Sequence, residues 1–416
     1  MIDPDALNVW CGQSLVGFLW RNALGQMGFT YAEEWLQSPE RFPLSITLPL
    51  QVEEYSPEKG LAHNFFANLL PEGGARDQIV RDLKISNTDF DLLRAIGGEC
   101  AGALSLLRTE QTPALEHQYK ELTAHELSEL VKRKGQPVTW TGNDRPRLSL
   151  AGAQSKCPVL VRNNAYWLPQ RESPSSHILK FEISDYRHLP AYETFTTHLA
   201  AYIGLDVVDI SLQYAGKDPF ARIARYDRVV NDKGDIERYH QEDFCQALGF
   251  GHQKKYQEDG GASFADCYRL LADIATNPAV DLDRLLRWQI FNVLAGNSDG
   301  HAKNLSLLYL PGHVVTLTPF YDLICTRAIK RIDENMAFSV GGERNPRLIT
   351  TAHWEALAKE CGINPKYIKS RVKEVAEKLS TGVKVIRESF DKQFGEYKAL
   401  EEIEKVVFTQ CSRALK

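Results

Sequence analysis

Gly296-Asn297-Ser298-Asp299-Gly300-His301-Ala302-Lys303-Asn304 is a polar stretch set between two apolar segments, and its surroundings decide how the chain is read. On its N-terminal side Leu285, Leu286, Trp288, Ile290, Phe291, Val293 and Leu294 recur with a helical period, which predicts a helix. Gly296 is a natural stop for it, because glycine enters the left-handed conformation without a Cβ penalty. On the C-terminal side Leu305 to Leu310 reads as a strand, Pro311-Gly312 as a turn, and Val314 to Leu317 as a second strand leading to Pro319-Phe320-Tyr321-Asp322. The stretch is therefore a helix-to-strand loop, and the strands behind it deliver one more carboxylate.

Asn, Ser, Asp and Gly occur in any tight turn, so the composition of the loop says little. Its spacing says more. Asp299 is followed five residues later by Asn304, the D-x-x-x-x-N spacing of a protein-kinase catalytic loop. In that chemistry the aspartate accepts the proton of an incoming hydroxyl, while the asparagine amide oxygen holds magnesium. Asp299, Asn304 and Asp322 at the ends of one helix-strand-turn-strand unit supply the hard oxygen donors that a metal-bound triphosphate needs.

The rest of the chain bounds this reading. With 416 residues, 43% hydrophobic and 25% charged, it is long enough for two or three domains with a substantial core. The net charge of −5 argues against a generic polyanion binder. The first residues, Met1-Ile2-Asp3-Pro4-Asp5, have neither a basic region nor an apolar run, and no later segment reaches the length of a membrane span, so the expected location is the cytoplasm, with no membrane contact. Eight cysteines (Cys11, Cys100, Cys157, Cys245, Cys267, Cys325, Cys361 and Cys411) are scattered without a C-x-x-C pair. They read as free buried thiols in a reducing compartment.

In chain order, Leu7 to Cys11, Ser14 to Trp20, Gly25 to Ala32 and Leu44 to Leu50 read as strands of a small β-rich unit. A helix through Ile79 and Leu83 follows, then one opened by Thr88 with Asp91 and stopped at Gly97-Gly98, a cap and a stop with known chemistry. Ala101 to Leu107 reads as a strand, and the segment from Arg108 to Gln118 as a domain boundary. Residues 119–135 are expected to be a helix. Arg147 to Leu150 reads as a strand, Ala151-Gly152-Ala153-Gln154 as a tight loop of small residues, and Ser155 to Arg162 as a returning strand. Small residues let backbone N–H groups approach phosphate oxygens.

His177 to Ile183 puts one lysine, Lys180, in an apolar strand. A lone strand lysine can snorkel to solvent. Here Glu193 follows, opening a helix with Phe195, Leu199 and Ile203 on one face and its end at Gly204, and a strand lysine followed by a helix glutamate is the ion pair that positions the α- and β-phosphates in kinases. Val207 to Tyr214 and Phe220 to Tyr226 complete an expected five-stranded upper lobe, with a hinge at Ala224-Arg225-Tyr226. From Glu237 onward helices dominate, one of them opened by Gln241-Glu242-Asp243. The basic run between 366 and 387 reads as a solvated amphipathic helix, with nucleic-acid contact the sharper alternative.

Five stretches then carry a resemblance: Phe65 to Gly73, Ser149 to Lys156, Gln241 to Gln246, Asp299 to Asn304, and Thr318 to Asp322. Together and in this order they resemble the HipA family, bacterial serine/threonine-kinase toxins of type II toxin–antitoxin modules. The resemblance runs from the first strands to about residue 360. It implies a two-lobed, protein-kinase-like α+β fold with an additional N-terminal β-containing subdomain and a mainly α-helical C-terminal lobe, divided at 1–110, 111–228 and 229–416. It implies ATP and Mg2+ as cofactors, Asp299 as catalytic base, Asn304 and Asp322 as metal ligands, and Lys180 on the phosphates. ATP contacts are implied for Ala151, Gly152, Ala153, Gln154, Ser155, Lys156, Lys180, Ala224, Arg225, Tyr226, His301, Ala302, Lys303, Asn304, Tyr321 and Asp322. The family's hinge can carry a glutamate where this chain has Ala224. Ser149 is implied as an autophosphorylation site that switches the kinase off, and Arg344 and Arg347 as DNA contacts, in a loop less lysine-rich than the family's.

The implied partners are a helix-turn-helix antitoxin resembling HipB, operator DNA through that complex, and a protein substrate such as an aminoacyl-tRNA synthetase, with inhibition of translation and growth and persistence as the result. Two alternatives stay open: a catalytically weak kinase-like corepressor acting with its antitoxin at operator DNA, and a small-molecule kinase.

Overall fold

Alternation of apolar residues builds the first sheet of the structure, a computed structural model that describes residues 5–135, 151, 152, 154, 156–183, 186–231 and 234–416. Strands β1 (Ala6–Cys11), β2 (Ser14–Arg21), β3 (Met27–Tyr31) and β4 (Leu104–Arg108) pair antiparallel in the order β3-β2-β1-β4. Leu7, Val9, Val16, Leu19 and Phe29 share a core with Phe65 and Phe66 of the helix Leu61–Ala67 and with Phe90 and Leu93 of the helix Asp89–Ile96. Thr88 accepts the Asp91 N–H at 3.2 Å and Gly97 closes that helix. Leu44 to Leu50, expected as a strand, is a bend with an isolated Ser45–Leu48 bridge. Its polar groups bond far along the chain instead: the Ile46 N–H donates to Glu242 and the Thr47 hydroxyl to the Gln246 carbonyl.

The second sheet holds β5 (Tyr119–Glu121), β6 (Lys156–Arg162), β7 (Ala165–Pro169), β8 (His177–Phe181), β9 (Ile210–Ala215) and β10 (Asp218–Ala224), in the order β5-β7-β6-β8-β10-β9. Six strands stand where five were expected. The extra one, β5, comes from residues read as the start of a helix, which instead begins at Ala124 after a Thr123–Glu126 capping box and ends at Lys132. Asn163 and Asn164, both at positive φ (50° and 61°), turn β6 into β7, the backbone a two-residue hairpin requires. The helix Leu189–Tyr202 buries Phe195 and Leu199 completely, and it starts four residues before Glu193, which sits in its second turn. Arg147 to Leu150 with Ser149, and Ala153 and Ser155 of the small-residue loop, lie outside the described residues.

A hairpin of β11 (Arg228–Val230) and β12 (Ile236–Arg238) leads into the third sheet, β13 (His240–Asp243), β14 (Ser306–Leu310) and β15 (Val314–Leu317). Gln241-Glu242-Asp243 end a strand rather than open a helix; Asp243 is the N-cap of the short helix Phe244–Ala247 that follows. The helices Phe264–Ile274, Pro278–Ala295, Thr351–Glu360, Pro365–Phe394 and Glu401–Ala414 contribute to one core, which includes Trp288, Phe291, Leu323, Leu379 and Val407. The basic run lies on Pro365–Phe394, which buries Ile368, Val372, Val375, Leu379 and Val383 and leaves Lys366, Lys369, Lys373, Lys378 and Lys384 exposed, the pattern of a solvated amphipathic helix. All eight cysteines are free and six are buried. Among the described residues no helix is long and apolar enough to cross a membrane.

Candidate active site

The loop at 296–304 is built from the end of the helix Pro278–Ala295. Gly296 closes it at φ +75°, and a Cβ there would lie 2.6 Å from Val406 Cγ1. The chain then folds onto itself. Asn297 donates to Asn292 Oδ1 at 3.0 Å, Ser298 donates to the Asp333 carbonyl at 2.8 Å, and the Asp299 carbonyl accepts both the His301 N–H and the Asn304 side-chain N–H at 2.9 Å. With its backbone pinned, the Asp299 side chain is 47% exposed, open enough to meet an acceptor hydroxyl. Its Oδ1 accepts the Tyr256 hydroxyl at 2.6 Å and lies 4.0 Å from His301 Nε2. Burial holds the His301 imidazole neutral, near a pKa of 4.

Lys180 does not snorkel. Its side chain is 6% exposed, and its ammonium donates to Glu193 at 2.7 Å and to Asp322. Asp322 holds a backbone φ of +54°, a conformation that non-glycine residues adopt at some cost. Burial opposes its ionisation, yet Lys180 and Lys156 hold its carboxyl well below the usual range. Burial raises the Glu193 carboxyl, and Lys180 pulls it back. Lys156 pairs directly across the sheet from Lys180, so both side chains rise from the same face. The Lys156 ammonium turns back to the Ala151 carbonyl, and burial beside the other cation lowers it to a pKa of about 8.

Residues 7–107 match the HipA N-terminal domain and residues 148–383 the HipA-like C-terminal domain. The chain belongs to the HipA family. Among its relatives, the Sinorhizobium fredii protein Y4mE is 35% identical over 392 residues, spanning 92% of this chain and 93% of that one. The Shewanella oneidensis serine/threonine-protein kinase toxin HipA is 30% identical over 369 residues, 85% of this chain and 82% of its own. A solved complex of the Shewanella oneidensis HipA and HipB with operator DNA superposes with a TM-score of 0.84 at 26% identity, covering 98% of this chain and 97% of that one. The fold is kinase-like, and the protein is a protein kinase.

The HipA motif residues fit magnesium and ATP. Asn304 uses its N–H on the Asp299 carbonyl, which leaves its amide oxygen as the donor, and Asp322 keeps one carboxylate oxygen beyond its bond to Lys180. Among the described residues no group of three or more His, Cys, Asp or Glu side chains forms a metal cage; magnesium held by one or two protein oxygens plus substrate phosphates needs none. Among the described residues His301 Nδ1 is buried without a hydrogen-bond partner. Tyr226 stacks on Tyr321 at 5.6 Å beside the apolar cluster of Val208, Ile210, Ala221 and Ile223, a surface suited to a base.

Three expected ATP contacts, Ala224, Arg225 and Lys303, are engaged elsewhere. The Arg225 guanidinium turns into a buried cluster with Glu99 and Asp227, and the Ala224 and Arg225 N–H groups are taken by the Asp209 and Ser176 carbonyls. None of these donors is left for an adenine. The Lys303 ammonium meets the Asn68 carbonyl and Asn68 Oδ1, both at 3.1 Å, and Glu72 at 2.9 Å, so its three donors serve the N-terminal unit. Burial alone would raise the Glu72 carboxyl, but Lys303 and Lys255 bring it down to about 2. The Glu72 N–H also donates to the Gly152 carbonyl at 3.1 Å. Arg344 pairs with Glu258 and Arg347 with Glu334 at 2.7 Å, so each proposed DNA contact already faces a carboxylate.

Sequence reading gave no role to Glu72, Lys255 or Tyr256. Glu72 falls within the Phe65 to Gly73 stretch that carries the resemblance; Tyr256 sits in an irregular segment with no period to mark it. A cavity of about 510 Å3 opens between them, lined also by Arg76, Asp89 and His252.

Proposed function

We propose that this HipA-family kinase is the toxin of a type II toxin–antitoxin module, transferring the γ-phosphate of ATP to a serine or threonine hydroxyl of a protein. The observation that carries the reading is the buried Lys180 ammonium bridging Glu193 and Asp322, beside a catalytic loop that presents Asp299 to solvent. Lys180 draws the nucleotide phosphates toward the strand. Asn304 and Asp322 hold magnesium, which when bound spreads the charge of the phosphates. Asp299 takes the proton of the acceptor hydroxyl as its oxygen bonds to the γ-phosphorus and the bridging bond to ADP breaks.

The resemblance extends the reading. The division at 1–110, 111–228 and 229–416, the phosphosite Ser149, an antitoxin like the HipB of the Shewanella complex with operator DNA, and an aminoacyl-tRNA synthetase as substrate belong to it, as do inhibited translation and persistence. Losing a positioned general base costs roughly 10²–10⁴ in rate. Phosphoproteomics after induction of the wild type, with Asp299→Ala as control, tests the whole: growth arrest and new phosphosites are expected from the wild type alone. Because Asp299 is half exposed, the variant is expected to fold normally. A toxic Asp299→Ala that still phosphorylates would refute the assignment.

A further inference from the structure

We infer that Tyr256 is a positioning residue of this kinase: its hydroxyl aims the Asp299 carboxylate, and Lys255, lying over its ring, ties the tyrosine to the N-terminal unit through Glu72. The inference rests on Asp299 as the base. Tyr256 donates to Asp299 Oδ1 at 2.6 Å, and His301 Nε2 lies 4.0 Å from the same oxygen. Among the described residues Oδ2 has no such contact, so both neighbours engage one oxygen and the other is left for an acceptor hydroxyl. A half-exposed aspartate without such a bond would rotate among staggered rotamers.

The tyrosine is itself held. Its ring meets His301 edge-on at 5.1 Å, and the Lys255 ammonium lies 5.4 Å from its centroid. Lys255 in turn pairs with Glu72 at 3.1 Å, and its carbonyl accepts the Ala302 N–H of the catalytic loop at 3.4 Å. Glu72 belongs to the N-terminal unit, where its own N–H holds the Gly152 carbonyl. The strap at 255–256 therefore joins three parts of the site: the base, the catalytic-loop backbone, and the residue that docks the small-residue loop.

The opposite role, a tyrosine that blocks the base by imitating an acceptor hydroxyl, predicts the opposite result. In that case the contact would fall on the oxygen facing the acceptor, and removing the hydroxyl would speed turnover.

The test is steady-state Mg-ATP turnover by the full chain, with Mg-ADP affinity measured alongside. Small misplacements of a reacting group can cost up to about a hundredfold. Tyr256→Phe, which removes one oxygen, is expected to lower kcat about ten- to hundredfold while leaving Mg-ADP affinity and thermal stability unchanged; a purely structural role would instead lower stability. Lys255→Met is expected to lower kcat less, and to add little in a Tyr256→Phe background, since Lys255 acts by holding the ring whose hydroxyl that variant removes. A Tyr256→Phe variant at or above the wild-type rate overturns the inference, and independent effects of the two substitutions overturn the tether. Inactive Asp299→Ala beside fully active Tyr256→Phe would sink this inference and leave the kinase reading standing, whereas an active Asp299→Ala would sink the reading itself.

Discussion

Replacing Glu99 by glutamine should destabilise the chain at the junction between its N-terminal unit and its hinge. Glu99 is wholly buried. Its Oε1 accepts from Arg225 at 2.8 Å, from Arg228 at 2.9 Å and from the Ser175 N–H at 3.1 Å, while Asp227 pairs with both arginines at 2.8 and 2.9 Å. Two guanidinium charges thus face two carboxylates with almost no water. Glutamine keeps an oxygen at the crowded position and puts an amide where Oε2 meets, among the described residues, the Ser175 hydroxyl at 3.3 Å, which can turn to accept. The hydrogen bonds survive, and the loss is one negative charge.

Breaking a buried pair costs about 3–5 kcal/mol, and retained hydrogen bonds place Glu99→Gln near the lower end. Urea unfolding reads it without the screening that an ionic denaturant adds. With a slope of about 3 kcal/mol/M, the midpoint of the affected unit falls by about 1 M. Burial disfavours the charged carboxyl, but the arginines lower its pKa below the ordinary value. The unfolded value is about 4.3, so the stabilisation is complete above about pH 5 and is lost as pH falls through the folded value. The gap between wild type and variant should therefore hold from pH 8 to pH 5 and narrow in acid. Equal stability at pH 7, or a gap that widens in acid, would refute the account.

Lys180→Met is expected to weaken Mg-ATP binding at least tenfold by calorimetry and to abolish turnover; unchanged affinity would mean the lysine does not touch phosphates. It also leaves Glu193 buried without its cation, so thermal stability should fall. Gly296→Ala places a side chain at φ +75° and 2.6 Å from Val406, and strain of this kind costs on the order of 1–3 kcal/mol; a melting temperature equal to the wild type would show that the loop yields more easily than its packing implies. Ser149, read as an autophosphorylation site, is tested by intact mass after incubation with Mg-ATP. A phosphoserine adds about −1.5 to −2 charge, so the modified fraction should bind ATP less tightly, and Ser149→Ala should show neither the mass increase nor the loss of binding.

The parts of the site that could be read from sequence are those whose chemistry is local or follows chain order. Gly296 to Asn304 is legible because a helix stop, a turn and a spacing of five all fall within nine residues. Lys180 and Glu193 are only thirteen residues apart and on successive elements, and they meet at 2.7 Å. The misread elements depend on partners that no window contains. Leu44 to Leu50 has strand-like apolar residues, but its polar groups are satisfied nearly two hundred positions later, the Ile46 N–H by the Glu242 side chain and the Thr47 hydroxyl by the Gln246 carbonyl. β5 is three residues long and polar, and its pairing with β7 defines it.

The same distinction governs the hinge. The resemblance implies Arg225 as a nucleotide contact. Its guanidinium is instead drawn to Glu99, 126 residues earlier, because a buried carboxylate between two arginines is tolerable only when all the charges are present together. Lys303 behaves alike, with its ammonium held by Asn68 and Glu72 from the first sheet's unit. Both cations face the N-terminal unit, and so does Lys255. That unit therefore fixes the geometry of the hinge, the catalytic loop and the strap on the base with buried charge. A change there, far in sequence from any catalytic motif, should be read first as a change in kinase activity.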